Sequence, residues 1–177
     1  MKQEHKDNFK ISMADFHLPR YHEIPNVGLY LEQTTKYIEG YLEPFHDITI
    51  TGSMISNYVK KGLITNPVKK QYDRDQIAYL VFIAFAKSVL SLENIRILLE
   101  MQKKTYGNQR AYDYFCEEFE NILQFVFNVK DVLDNVGGDQ SDEKLILRNT
   151  IITISHKLYL DQCFVILGKE LEEHSER

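Results

Sequence analysis

Apolar residues recur along most of this chain at spacings of three and four, the period of helices with one buried face. Leu31, Thr35, Ile38 and Leu42 fall on one stripe, and the spacing predicts a helix over 27–41, capped by Asn26 and closed by Pro44. Thr51 offers the N-cap of a second helix, 52–61, with Ile55, Tyr58 and Val59 together and Ser53, Ser56, Asn57 and Lys60 on another face. Gly62 stands where a helix ends in the left-handed conformation, and Leu63 is a fitting hydrophobic follow-on. The stretch "ITNPVKKQY" carries a turn at Asn66–Pro67 between short extended arms, the size of a small β-ribbon over 65–72. Asp73 and Gln76 form a capping box for a third helix, 74–90, nearly all apolar from Ile77 to Phe85 and expected to be buried on most sides. Ser91 caps a fourth helix, 92–104, with Leu92, Ile95, Leu98 and Leu99 inward.

The pattern then lengthens. Tyr112, Phe115, Phe119, Ile122, Val126, Val129 and Leu133 step by three and four over three heptad-like repeats, until "DNVGGDQSDE" breaks the run. A last helix, 141–173, carries Leu147, Ile151, Ile154, Leu158, Val165 and Leu167. Two long helices joined by a Gly-Gly loop predict an antiparallel helical hairpin. Residues 1–20 are polar, without sustained period, and read as a mobile arm. Three segments result: the arm 1–20, a helix-and-ribbon unit 21–104 and a helical hairpin 105–177. The fold class is mainly α with a small β-ribbon.

Composition agrees with a folded chain: 177 residues, 44% hydrophobic, with ten Phe and eleven Tyr, exclude general disorder. The first twenty residues hold no continuous apolar run, and the most apolar stretch, 77–86, is too short to span a bilayer. Two cysteines without a C-x-x-C fit a reduced, cytoplasmic protein, and no membrane association is expected.

Charge changes the picture more. The net charge is -5, yet residues 51–104 hold nine basic and four acidic groups, whereas 1–50 hold five and eight, and 105–177 seven and fourteen. Between Tyr58 and Tyr72 stand four lysines and no acidic residue. Such asymmetry points to a surface that faces a polyanion; the plain alternative is a solvated lysine face.

Candidate chemistry is sparse. No phosphate-binding, dinucleotide-binding, zinc-protease or serine-hydrolase motif is present, and the six histidines (His5, His17, His22, His46, His156, His174) include no pair at i, i+3 or i, i+4. Cys116 and Cys163 could meet across the hairpin as sensor thiols, but in apolar helices cysteine acts as a small buried hydrophobe, the preferred reading. No catalysis, cofactor or metal is expected.

In the basic third the residues carry a resemblance. "SMISNYVKKGLI…VKKQYDRDQIAYLVFIAFAKSVLSLENIRILLEM" resembles the DNA-binding half of the MerR family of bacterial regulators. Tyr58 with Gly62-Leu63-Ile64, then Pro67, Tyr72 and Asp73, then Ser91-Leu92-Glu93 through Leu98-Leu99, follow that family's pattern in order. With "LYLEQTTKYIEGYL" included, the segment is still more similar to a bacterial family of domain-of-unknown-function type with a MerR-like fold. It departs from the MerR pattern at Ser53 and Ser56, where arginines are common, and lacks the usual "x-I-G-E-x-A" opening.

The resemblance implies a winged helix-turn-helix over 21–104, with recognition helix 52–61 and wing 65–72, in a transcriptional regulator that binds double-stranded DNA. Gly52, Ser53, Ser56, Asn57 and Lys60 are expected to face the groove, and Tyr58, Lys61, Lys69, Lys70 and Arg74 to touch phosphates. The segment 105–177 would make a homodimer and could take a small-molecule effector, whose nature the residues do not specify. The alternative expectation is a protein-interaction module that keeps the winged-helix fold without DNA binding, its recognition helix covered by the C-terminal hairpin.

Overall fold

The structure, a computed structural model, describes residues 3–138 and 141–175. Positions 1–2 of the expected arm, 139–140 of the expected loop and 176–177 of the expected hairpin lie outside them. The described residues are mainly helical, with seven α-helices and one two-stranded sheet.

A helix that is apolar all round has no face to give to water. α4 (Arg74–Ala86) is such a helix: from Gln76 to Ala86 only Tyr79 is not buried. It starts at the expected capping box, in which Gln76 N donates to Asp73 Oδ1 at 2.8 Å and Asp73 N to Gln76 Oε1 at 2.8 Å. Around it pack α2 (Leu31–Leu42), α6 (Asn108–Val126) and α7 (Asp142–Ser175). Phe85 meets Phe45 on one side and Phe119 on the other, with ring centroids 5.6 and 4.7 Å apart, and Phe82 meets Phe115 edge-on at 5.2 Å. One hydrophobic cluster therefore runs from Phe9 to Leu158, through both the basic unit and the acidic third.

The basic unit is built as its punctuation dictates, with two shifts. Leu29 and Tyr30 form a strand, β1 (Leu29–Tyr30), so α2 begins later than expected. Its cap is Tyr30, whose N–H is taken by the Gln33 side chain at 2.9 Å, in place of Asn26. β1 pairs antiparallel with β2 (Gln71–Tyr72), Leu29 opposite Tyr72 and Tyr30 opposite Gln71. Gly28 permits this approach, because a Cβ there would lie 2.8 Å from the Gln71 Cβ. α3 (Gly52–Lys60) and α5 (Leu92–Thr105) start at their expected caps: Thr51 Oγ1 accepts from Met54 N at 3.2 Å, and Ser91 Oγ from Asn94 N at 3.1 Å.

The acidic third differs more from expectation. Its heptad-like stripe does not stay helical to Leu133: α6 stops at Val126, and Asn128 takes a positive φ of 57°. Nor do α6 and α7 make an antiparallel hairpin. Lys144 lies over the Tyr114 ring, Arg148 pairs with Glu118 at 2.7 Å, and Tyr159 packs on Phe127. Partner numbers rise together along both helices, so the two run parallel. The chain from Phe127 to Gly138 travels back beside α6, and these twelve residues reach further than a helix the length of α6. Buried Asn121 holds that return, accepting from Asp134 N at 3.0 Å and donating to Asp134 O at 2.9 Å.

The expected arm also takes on structure. α1 (Gln3–Ala14) lies antiparallel to α6 and α7, with Phe9 against Phe127 and Tyr159 and with Met13 and Leu18 buried. A strap, 18–24, follows it. Glu120 accepts both guanidinium nitrogens of Arg20 at 2.6 Å and the Leu18 N–H at 2.7 Å. Asp113 takes the Tyr21 N–H at 2.7 Å, and the Tyr21 hydroxyl donates to Asp75 on α4 at 2.7 Å.

Two glycines test this backbone account with opposite signs. Gly62 has φ +72° and open space around it, so Gly62→Ala changes little but backbone strain and is expected to destabilise by about 1 kcal/mol. Gly40, inside α2 and also with nothing near its missing Cβ, is expected to stabilise by about 0.5–1 kcal/mol as Gly40→Ala. Urea unfolding of the two variants beside the parent protein measures both; equal midpoints would contradict the assignment of the two conformations.

Candidate nucleic-acid interface

α3 is held by both its ends and by one face. Beyond its Thr51 cap, the far end closes with Gly62 N donating to Val59 O at 2.9 Å and Leu63 N to Tyr58 O at 3.0 Å, the Schellman pair. Ile55 and Tyr58 are buried, and Leu63 and Ile64 follow them into the core. The opposite face, Ser53, Ser56, Asn57 and Lys60, is exposed, and neither α6 nor α7 covers it. Ser56 Oγ donates to Gly52 O at 2.8 Å, and Ser53 and Thr51 hydroxyls pair at 2.9 Å, so both serines keep acceptor lone pairs for a partner.

Three of the expected contact residues are turned to other work. Tyr58 is 3% exposed, and burial pushes its hydroxyl pKa up; its ring fixes α3 to the core and does not reach the surface. Gly52 packs against α2, where a Cβ would touch Leu31 Cδ2 at 3.4 Å, so it serves helix–helix approach and not the outer face. Arg74 donates from Nε to Ile24 O at 2.9 Å and lies 5.4 Å over the Tyr21 ring, which makes it a clamp on the strap.

The remaining basic residues are turned outward. Lys60, Lys61, Lys69 and Lys70 are exposed, and none has an ion-pair partner among the described residues. Lys60 and Lys61 end α3, where a cation is favoured by about 0.3–1 kcal/mol whatever its function. Lys69 and Lys70 have no such local reason. They form the two-residue turn of the ribbon, between the bridged Val68 and Gln71, with φ of 51° and 66°. This is where the expected Asn66–Pro67 turn is displaced to. Both central residues at positive φ match a type I′ turn, which favours Asn-Gly and strains two lysines. The ribbon's base is rigid: the Gln76 side chain donates to Thr65 O at 2.9 Å and Thr65 Oγ1 at 3.1 Å, and Tyr72 is buried.

Sequence reasoning missed Lys87. Its ammonium lies 3.7 Å from Met54 Sδ beneath α3, and burial lowers its pKa. The signal was present, since Lys87 ends the apolar run of α4 and has to find polar space at its margin. The thiols are no sensor pair: Cys116 is buried on α6, its Sγ 3.7 Å from Pro19 O, and burial pushes it up to about 12. Cys163 is half-buried on α7 beside Tyr159. Among the described residues no three His, Cys, Asp or Glu side chains gather as metal ligands. One window of α7 has a mean hydropathy of 1.2, long and apolar enough by length and composition to cross a membrane. A core helix passes the same test when mostly buried; here 28% of the window is buried, although α7 buries Ile151, Ile154 and Leu158.

The turn supplies a direct check. Lys69→Asn with Lys70→Gly relieves both strained positions and is expected to raise stability by about 1–2 kcal/mol in urea unfolding. A loss of stability would mean that the lysines hold the turn by contacts of their own.

No curated protein and no solved structure matches this chain. A family model described as a domain of unknown function, DUF1836, matches residues 19–115, more than half of the chain. That span begins in the strap, takes in α2 to α5 with the ribbon, and ends within α6 on the core residue Phe115. By this match the chain belongs to the DUF1836 family.

Proposed function

We propose that residues 21–104 form a winged helix-turn-helix of MerR-like type and that the protein is a cytoplasmic transcriptional regulator binding double-stranded DNA as a homodimer. The observation that carries this reading is the set of four exposed, unpaired lysines at the end of α3 and the tip of the ribbon. They flank an exposed face of Ser53, Ser56, Asn57 and Lys60. In this reading α3 enters the major groove, the serine and asparagine side chains meet base edges, and Lys61, Lys69 and Lys70 meet phosphates. Phosphate contacts give position, base contacts give sequence, and the small side chains here favour the first. The protein-interaction alternative expects α3 to be covered by the C-terminal helices, and its outer face is open.

Dimerisation is assigned to the second half of α7. Leu160, Phe164, Leu167 and Leu171 are 51%, 67%, 36% and 68% exposed and follow one another at four, three and four residues, the spacing of a coiled-coil seam. Pairing two copies there would bury the stripe and set two recognition helices on one assembly. Sedimentation should find a dimer that Phe164→Glu converts to a monomer with unchanged helicity. A parent protein monomeric at every concentration would remove the seam.

DNA binding is tested by the affinity for genomic fragments across a salt series. A dimer using Lys61, Lys69 and Lys70 of each protomer on phosphates should show log K falling against log salt with a slope of about −5. The Lys69→Asn/Lys70→Gly protein, folded and more stable, should bind more weakly with a slope of about −2. The charge reversal Lys69→Glu/Lys70→Glu should abolish retention. Absent binding at low salt, or slopes that do not differ, would refute the regulator reading.

A further inference from the structure

The ribbon has two faces, and only one of them belongs to the core. Residues directly opposite each other in an antiparallel ladder put their side chains on the same side of the sheet. Leu29 opposite Tyr72 makes the inner side: Tyr72 is buried and Leu29 packs against the core. Tyr30 opposite Gln71, with Val68 bridged to Gln71 from its other edge, makes the outer side. Tyr30, Gln71 and Val68 therefore form one row across three backbone segments spaced by about 5 Å.

Both ends of that row are apolar and open. Tyr30 is 52% exposed and Val68 73%. A single exposed valine is ordinary on a protein surface. Here a valine and a tyrosine share one small face, and the turn that joins Val68 to Gln71 is the strained Lys69–Lys70 pair. Neither lysine has an ion-pair partner among the described residues. The face is also fixed in advance. Tyr30 N donates to Gln33 Oε1 at 2.9 Å where α2 begins, and Tyr72 holds the facing strand in the core. Apolar side chains bordered by unpaired cations complement a nucleic-acid strand, whose deoxyribose rings present C–H surface between charged phosphates.

We propose that this outer face is a second DNA contact of the ribbon, made by two side chains that carry no charge. The Tyr30 ring and Val68 lie on the deoxyribose edge of one strand, while Lys69 and Lys70 take neighbouring phosphates. The inference rests on the DNA-binding reading and adds Tyr30 and Val68 to its contact residues. Their part is separable from that of the lysines. A lysine on a phosphate releases counterions and sets the salt dependence, whereas an apolar contact adds affinity at every salt concentration alike.

The experiment uses the full chain and the genomic fragment that it retains most strongly. The protein has no tryptophan, so Tyr30→Trp puts a single fluorescent reporter on the face and keeps the backbone N–H that caps α2. Its emission is expected to shift to the blue as duplex saturates the protein, because the indole leaves water. Tyr30→Ala should weaken binding about tenfold and Val68→Thr about threefold, both with the salt slope kept at about −5. Unchanged reporter emission at saturation, with saturation read from the anisotropy of labelled duplex, overturns the proposal and leaves the DNA-binding reading standing; the face then serves a protein partner. Parental affinity in Tyr30→Ala has the same consequence. If no fragment is retained at any salt concentration, both readings fall together.

Discussion

Enclosing α4 is the constraint on which the rest of the structure depends. A helix with Ile77, Leu80, Val81, Ile83 and Phe85 around its circumference, each at 0% exposure, needs partners on every side. Each such side chain contributes about 1.5–3 kcal/mol when buried, so leaving any face open would cost more than a typical cap or ion pair provides. α2 with the ribbon covers one side, and α6 with α7 covers the other. The basic unit and the acidic third are thereby two coats on one core, and Phe85, touching both Phe45 and Phe119, sits at the seam.

The same enclosure accounts for where the opposite charges go. Glu120, Asp113 and Asp75 are turned toward the chain itself, accepting from Leu18, Arg20 and Tyr21 in the strap. Hydrogen bonds from carboxylates to backbone N–H groups and a bidentate guanidinium are the strong, geometrically fixed kind. Part of the acidity of 105–177 is thus structural, tying the N-terminal strap to α6. The lysines of α3 and the ribbon have no comparable employment, although carboxylates are plentiful in the chain. Surplus of one sign at one place, in a molecule that ties part of the other sign into its own fold, is a stronger indicator than the net charge of -5.

What was legible in the sequence was what neighbouring residues decide among themselves. The Thr51 and Ser91 caps, the Asp73–Gln76 box and the left-handed Gly62 are bonds or backbone conformations within five residues, and each lies where the local pattern places it. The buried character of α4 followed from its having no polar side. The larger misreadings involve partners far along the chain, whereas the Asn66–Pro67 turn and the Asn26 cap were displaced by only a few residues. Nothing near Phe9 reveals that Phe127 and Tyr159 will cover it, so α1 passed for an arm. The Gly-Gly stretch suggested a tight reversal, while the length from Phe127 to Gly138 and the single buried Asn121 decided for a parallel return. Tyr58, Gly52 and Arg74 were expected at the DNA through the resemblance, although Tyr58 already stood on the apolar face; the core, α2 and Ile24 claim them.

Those reassignments narrow the candidate surface and also sharpen it. Removing Tyr58, Gly52 and Arg74 leaves side chains whose backbone is held from behind: α3 by buried Ile55 and Tyr58, the ribbon by Gln76 and Tyr72. A binding surface of this kind loses little freedom on association, because the elements are ordered before a partner arrives and only lysine and serine rotamers remain to be fixed. The turn carries the argument one step further. Two lysines at φ of 51° and 66° occupy positions where Asn-Gly would relax the backbone, so the ribbon tip carries two positive charges at the expense of local stability. Strain of that sort has a physical rationale when charge at a fixed distance from α3 matters more than the turn itself. Under the proposed function, regularly spaced phosphates would be the feature of the partner that such placement serves.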